Sequence, residues 1–240
     1  MMKVTGMALT TIGFDADDTL WQNETFFRMT QDRFTELLAD SAPPDHLTAR
    51  LEAAERRNLG HYGFGIKGFV LSMIETAIEV TDGRVPAGVI AEIMAAGREM
   101  LGHPVHLLPQ AEAAVTALSA EHRVILITKG DILDQERKLA QSGLGDLFHG
   151  VEIVSHKTPE VYRTVFARHG SGAAQAMMVG NSLKSDVLPA LQAGAWGVHV
   201  PHPLTWALER ADAPADSTRF RVVSDLGELP ALVEELHTLP

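Results

Sequence analysis

The stretch Phe14-Asp15-Ala16-Asp17-Asp18-Thr19-Leu20 closes a short apolar run, Leu9 to Phe14, and its reading sets the fold of the whole chain. A few branched and aromatic residues ended by a burst of acids is the pattern of a buried strand that delivers polar groups to the edge of a sheet. Two carboxylates two positions apart would face opposite sides of a continuing strand. At a strand-to-loop turn they can converge on one centre instead. Convergence in a cleft is costly without a cation, because like charges raise one another's proton affinity. Paired oxygen ligands suit Mg²⁺. Taken alone, Asp18 and Thr19 read equally well as helix caps.

Working outward, similar apolar runs recur at Val124 to Ile127, Val151 to Val154, Ala176 to Val179 and Gly197 to Val200, each bounded by Gly, Asp, Asn or Thr. Segments with helical spacing lie between them: Val115 and Leu118 before the second run, Leu133 and Leu139 after it, and Val187, Leu188 and Leu191 after the fourth. Strands alternating with helices of this length predict an α/β protein, a doubly wound, Rossmann-like parallel sheet built by right-handed crossovers. Ligands of such sheets bind at the carboxyl ends of the strands. The amino-terminal stretch Met1 to Phe14 reads as a strand. A signal peptide would want a longer apolar run and a small-residue cleavage site.

One interval breaks the rhythm. From Asp15 to Thr128 is 113 residues, against the ~30 of a single strand–helix–strand unit. The excess has helical patterning: Phe27, Phe34 and Leu38, then Leu51 and Ala54, then Phe69 to Val80, then Ile90, Ile93 and Met94, ending at Gly102-His103-Pro104. We therefore expect an α/β core formed by residues 1–21 and 105–240, and a helical cap at 22–104.

Three more strand ends carry polar chemistry. Thr128 and Lys129 close Ile125-Leu126-Ile127, offering a hydroxyl and then backbone N–H groups that can cradle phosphoryl oxygens. Lys157 stands in Ser155-His156-Lys157-Thr158-Pro159, where a point charge could neutralise a phosphate. Met178-Val179-Gly180-Asn181-Ser182 runs on to Lys184 and Asp186, so Asn181 and Asp186 can both face the carboxyl edge. Singly, these read as a strand end, a surface lysine and an N-cap.

In the order acid pair, hydroxyl, cation, acid, the four segments resemble the haloacid dehalogenase superfamily over residues 9–200, in its phosphatase type with a small helical cap. The resemblance implies that Asp15 attacks phosphorus to form an aspartyl-phosphate and that Asp17 serves as general acid, then base. It implies that Thr128 and Lys129 bind the phosphoryl group and that Lys157 steadies nucleophile and phosphate. Mg²⁺ would be held by Asp15, the Asp17 backbone carbonyl, Asn181 and Asp186. Many relatives carry Asp at the position of Asn181, so one negative charge is missing here. The implied activity is hydrolysis of a small phosphate monoester, with a phosphomutase or a non-catalytic phospholigand-binding protein as alternatives.

Composition narrows the partners. A formal net charge of −11, without a basic stripe, argues against a nucleic-acid polymer. The absence of Cys rules out disulfides and thiolate metal sites and fits the cytoplasm. No stretch approaches the ~20 apolar residues of a membrane span. The expected partner is a small phosphorylated metabolite, the expected state a monomer or homodimer. Within the cap, His61 to Phe69 combines Gly, aromatics and Lys67, a makeup suited to a substrate-contacting loop, although its aromatics read more readily as core.

Overall fold

The structure, a computed structural model, describes residues 9–238; the part of the expected amino-terminal strand on residues 1–8 lies outside them. The chain divides into two compact units. One comprises residues up to 22, then 105–129 and 136 onward; the other comprises residues 23–104 and 130–135.

The first unit holds six strands, β1 (Thr11–Phe14), β2 (Arg123–Lys129), β3 (Gly150–Val154), β4 (Ala176–Gly180), β5 (Trp196–His199) and β6 (Phe220–Val222), in the order β3-β2-β1-β4-β5-β6. Every pairing is parallel. Alternation along the strands builds a core on each face. Ile12, Phe14, Val124, Leu126, Met177 and Val179 face one layer. Ile125, Ile127 and Met178 face the other, against Tyr162, Val165 and Phe166. Both faces being covered explains why these strands read as unbroken apolar runs.

Because β1 lies between β2 and β4, successive crossovers leave it in opposite directions, and the carboxyl end of β1 sits at the point of reversal where such sheets bind ligands. Phe14 is in register with Leu126 on one side and Val179 on the other. The segments after Phe14, Val179 and Leu126 therefore leave the same edge of the sheet.

The second unit is built on α1 (Glu24–Leu37), α2 (Pro44–Tyr62), α3 (Ile66–Val80) and α4 (Ala87–Gly102). Their apolar faces meet in a core of its own that includes Phe34, Leu38, Leu47, Leu51, Phe69, Met73, Ile93 and Met100. Pro43 and Pro86, both extended, precede α2 and α4. The first unit adds α5 (Ala111–Ser119), α7 (Pro159–His169), α8 (Leu188–Ala193) and α9 (Leu229–Thr238), while α6 (Ile132–Ser142) begins in one unit and continues in the other.

Several expectations need correction. The second strand runs one residue beyond Thr128: Thr128 and Lys129 both belong to β2 and pair with Ile153 and Val154, and the turn starts at Gly130, whose φ is 137°. The third run is not buried on both faces. It is the edge strand β3, and Val151 is exposed. Leu133 points to solvent, so the face of α6 is carried by Leu139. β5 stops at His199, one residue before Val200. Little of His61 to Phe69 is loop: α2 runs to Tyr62 and α3 starts at Ile66, with Phe69 in the core. β6 and α9 went unanticipated, since Phe-Arg-Val is too short and too polar to stand out as a strand.

Candidate active site

Asp15 follows the last residue of β1, and its backbone N–H still donates to Val179 of β4 at 2.9 Å, so the sheet itself fixes where its side chain starts. The turn beyond it is made by Asp18 with φ 58°, a left-handed conformation that Asp tolerates better than most side chains. That turn brings Thr19 back, and its hydroxyl donates to Asp15 Oδ2 at 3.0 Å. Thr19 Oγ1 also accepts the N–H of Asn181 at 3.0 Å, which stitches the end of β1 to the end of β4.

Lys157 arrives from the segment after β3. Thr158 caps α7 by accepting the N–H of Val161 at 3.3 Å, and Pro159 occupies the first helical turn, so the residue just before the cap is held firmly. Its Nζ donates to Asp15 Oδ1 and, at 2.6 Å, to Asp186 Oδ1. Asp186 sits in a π-helical turn, Leu183–Val187, ahead of α8; its Oδ2 accepts the N–H of Ser182 at 2.9 Å. Gly180 is what lets Asp186 approach: a Cβ there would lie 2.2 Å from Asp186 Oδ2. The structure thus brings Asp15, Lys157, Asp186 and, through Thr19, Asn181 into one cluster.

Two carboxylates and one ammonium leave a buried excess of negative charge. Burial, with Asp186 alongside, pushes the Asp15 carboxyl up to about 7 although Lys157 pulls the other way. For Lys157, burial opposes the cation, but Asp15 and Asp186 outweigh it and hold the ammonium above the ordinary lysine range. Such a site favours a further cation. The donors that could meet one are all oxygens, from Asp15, Asp186, the Asn181 amide and the Asp17 backbone, which is the chemistry Mg²⁺ prefers. Among the described residues no three His, Asp or Glu side chains are gathered into a metal cage. Mg²⁺ fits that sparse set because it keeps several of its waters.

Asp17 adds its charge to the site and pushes the Asp15 carboxyl in the same direction as Asp186 does. Its carboxylate takes the Trp21 indole N–H at 2.8 Å and Lys138 Nζ at 3.0 Å. Trp21 is fully buried, so it is a rigid arm rather than a surface ring. Thr128 is buried at the end of β2, its hydroxyl making a long 3.5 Å contact with the Lys129 carbonyl. The phosphate cradle expected of Lys129 concerns its backbone amide; its side chain has partners of its own. Its Nζ is engaged by Glu209 and by Ser185 Oγ at 2.7 Å. Lys67 lies in the helical unit, exposed, and pairs with Asp131 at 2.8 Å.

Thr19, Trp21, Lys138 and Glu209 were missed as site residues. Thr19 carried a signal, being four residues beyond Asp15 in the same motif. Lys138 lies inside α6 and Glu209 in the long connection from β5 to β6, where no strand end marks them. A cleft of about 660 Å³ opens beside Asn181, bordered by His199, Thr205, Glu209 and Arg210.

The family model of haloacid dehalogenase-like hydrolases matches residues 9–194. A crystal structure of a haloacid dehalogenase-like family hydrolase from Xanthomonas campestris is 42% identical, with a TM-score of 0.86, over 96% of this chain and 92% of that one. The fold is shared at lower identity by the putative hydrolase YfnB from Bacillus subtilis, solved bound to magnesium (16%, TM-score 0.67, 94% and 99% covered). It is shared also by the L-2-haloacid dehalogenase from Xanthobacter autotrophicus with chloropropionic acid covalently bound (20%, TM-score 0.61, 94% and 98% covered). None of the curated proteins compared matches the chain. With most of its length matched by the family model and a close structural relative spanning nearly all of it, the chain belongs to the haloacid dehalogenase-like hydrolases.

Proposed function

We propose that this hydrolase is a Mg²⁺-dependent phosphatase acting on a small phosphate monoester through a phosphorylated Asp15. The observation that carries the proposal is a second carboxylate, Asp17, close enough to the nucleophile to act on its charge. With its oxygens oriented by Trp21 and Lys138, that carboxylate is the candidate for proton transfer. An alkoxide leaving from phosphorus needs a proton; a halide leaving from carbon does not, and a dehalogenase would leave Asp17 without a task.

In the first step an Asp15 carboxylate oxygen attacks phosphorus, the ester P–O bond breaks, and Asp17 gives its proton to the departing oxygen. In the second, Asp17 takes a proton from water as the water oxygen attacks phosphorus and restores Asp15. Lys157 orients the nucleophile and offsets its charge. Thr128 would donate to a phosphoryl oxygen, a reading that the long 3.5 Å contact of its hydroxyl supports. Bound Mg²⁺, held by Asp15, the Asp17 carbonyl, Asn181 and Asp186, would supply charge neutralisation between anionic nucleophile and anionic substrate. The substrate would be a phosphorylated metabolite in the cytoplasm, a location that the lack of Cys supports. Among the described residues no helix is long and apolar enough to cross a membrane.

Purified protein with Mg²⁺ should release phosphate from members of a metabolite phosphate panel, and EDTA or Asp15→Asn should abolish the release. Halide release from 2-chloropropionate without phosphate release from any ester would overturn the proposal.

A further inference from the structure

The segment Asn181–Asp186 supplies two of the oxygen donors just named, and it is fastened on two sides. On one, Thr19 and His199 hold Asn181: its N–H donates to Thr19 Oγ1 at 3.0 Å, and its carbonyl lies 3.0 Å from His199 Nε2. On the other stands Glu209, from a short helical turn, Ala207–Glu209, in the connection between β5 and β6. One Glu209 oxygen takes Lys129 Nζ; the other accepts the Ser182 hydroxyl at 2.6 Å. Ser182 Oγ in turn accepts the N–H of Ser185 at 2.9 Å. A hydroxyl has one proton, so a donation to Glu209 leaves its lone pairs aimed at Ser185. The N–H of Ser182 then donates to Asp186 Oδ2 at 2.9 Å. Nearby, Lys184 Nζ reaches the Leu208 carbonyl at 2.7 Å, a second tie between the same two segments.

We propose that Glu209 is a positioning residue: through the Ser182 hydroxyl it fixes the Asn181–Asp186 turn in the geometry that receives the cation. The proposal rests on the magnesium-dependent function above. Glu209 touches neither Asp15 nor Lys157; it acts on the donors through Ser182, and Lys129 supplies the counter-charge that lets its buried carboxylate remain ionised. Outer partners of this kind orient metal ligands, and their loss costs roughly 10- to 100-fold in metal affinity. Lys129, at the end of β2, thereby contributes to the cation site through Glu209.

The test is calorimetric titration of the full-length protein with Mg²⁺, without substrate, beside its phosphatase activity. Glu209→Ala and Ser182→Ala should each weaken Mg²⁺ binding about 10-fold. The double variant should be no weaker than either, because both remove the same link. Glu209→Gln keeps an oxygen that can accept from Ser182 and should recover most of the affinity; it also serves if the alanine variant fails to fold. Wild-type affinity in Glu209→Ala, or losses that multiply in the double variant, would overturn the proposal. Wild-type protein that neither binds Mg²⁺ nor hydrolyses any phosphate ester would instead remove the function on which it rests.

Discussion

Substitution of Gly180 by alanine is the sharpest test of how the cluster is packed. The backbone there is not in the left-handed region, so the change adds a methyl group and no conformational strain. That methyl carbon would lie 2.2 Å from Asp186 Oδ2, 2.4 Å from its Cγ and 2.7 Å from its Cβ. Normal contact requires a retreat of roughly 1 Å. Asp186 is buried and cannot swing into solvent, so the retreat must stretch its bonds to Lys157 and to the Ser182 N–H. Hydrogen bonds to charged groups contribute about 1.5–3 kcal/mol each, which sets the expected loss of stability at about 3 kcal/mol. Misplacement of about 1 Å in a reacting constellation costs on the order of 100-fold in rate. Urea unfolding should show the first effect, and Mg²⁺-dependent hydrolysis of p-nitrophenyl phosphate the second. Wild-type stability and turnover in Gly180→Ala would mean that Asp186 is not held as described.

Asp17→Asn should lower kcat/KM, which reports the phosphorylation step alone, by about 10²- to 10⁴-fold on alkyl phosphates, whose leaving oxygen needs a proton, and by much less on p-nitrophenyl phosphate, whose leaving group does not; equal losses in kcat/KM on both would remove Asp17 as the acid. Metal-free protein should lose stability with rising pH. The folded pKa of Asp15 is raised to about 7 from a model-peptide 3.8, so the folded state holds a proton more tightly than the unfolded chain, and that advantage fades as pH climbs through 7. Urea midpoints in EDTA at pH 5 and pH 8 should show the fall, and Mg²⁺ should stabilise more at pH 8. Lys157→Met strands two buried carboxylates and should cost about 3–5 kcal/mol at neutral pH by urea unfolding, with a smaller deficit at pH 5. Gly60→Ala, inside α2 with open space around the new methyl, should instead raise stability by about 0.5–1 kcal/mol.

Strand ends made the site legible. Asp15, Lys157 and Asp186 stand beside buried apolar runs in a parallel sheet, and such runs are hard to mistake because both their faces are covered. The helical insert was legible for a similar reason, a long interval with a different period. What stayed hidden depends on side chains that reach in from elsewhere. Lys138 is one polar residue on an amphipathic helix, and nothing local distinguishes it from Arg137 beside it. Glu209 is significant only because Lys129 and Ser182 converge on it from two other segments. Lys129 follows Thr128, and in a strand neighbouring side chains point to opposite faces; that its ammonium goes to Glu209 could not be read from the sequence, which spoke only for its amide. Val151 and Leu133 failed as core residues because apolar character does not reveal whether a neighbour exists to cover it.

The central position of β1 also bears on how the protein is made. The strand that ends beside Asp15 leaves the ribosome before its two hydrogen-bonded neighbours, β2 and β4, which begin only at Arg123 and Ala176. Until β4 has emerged, one edge of β1 is open, and pairings this distant along the chain close slowly. The four-helix insert, whose core is drawn from residues 34–100, can meanwhile consolidate on contacts of its own. That order of emergence leaves a window in which a nascent chain has an apolar strand whose partners are still to come.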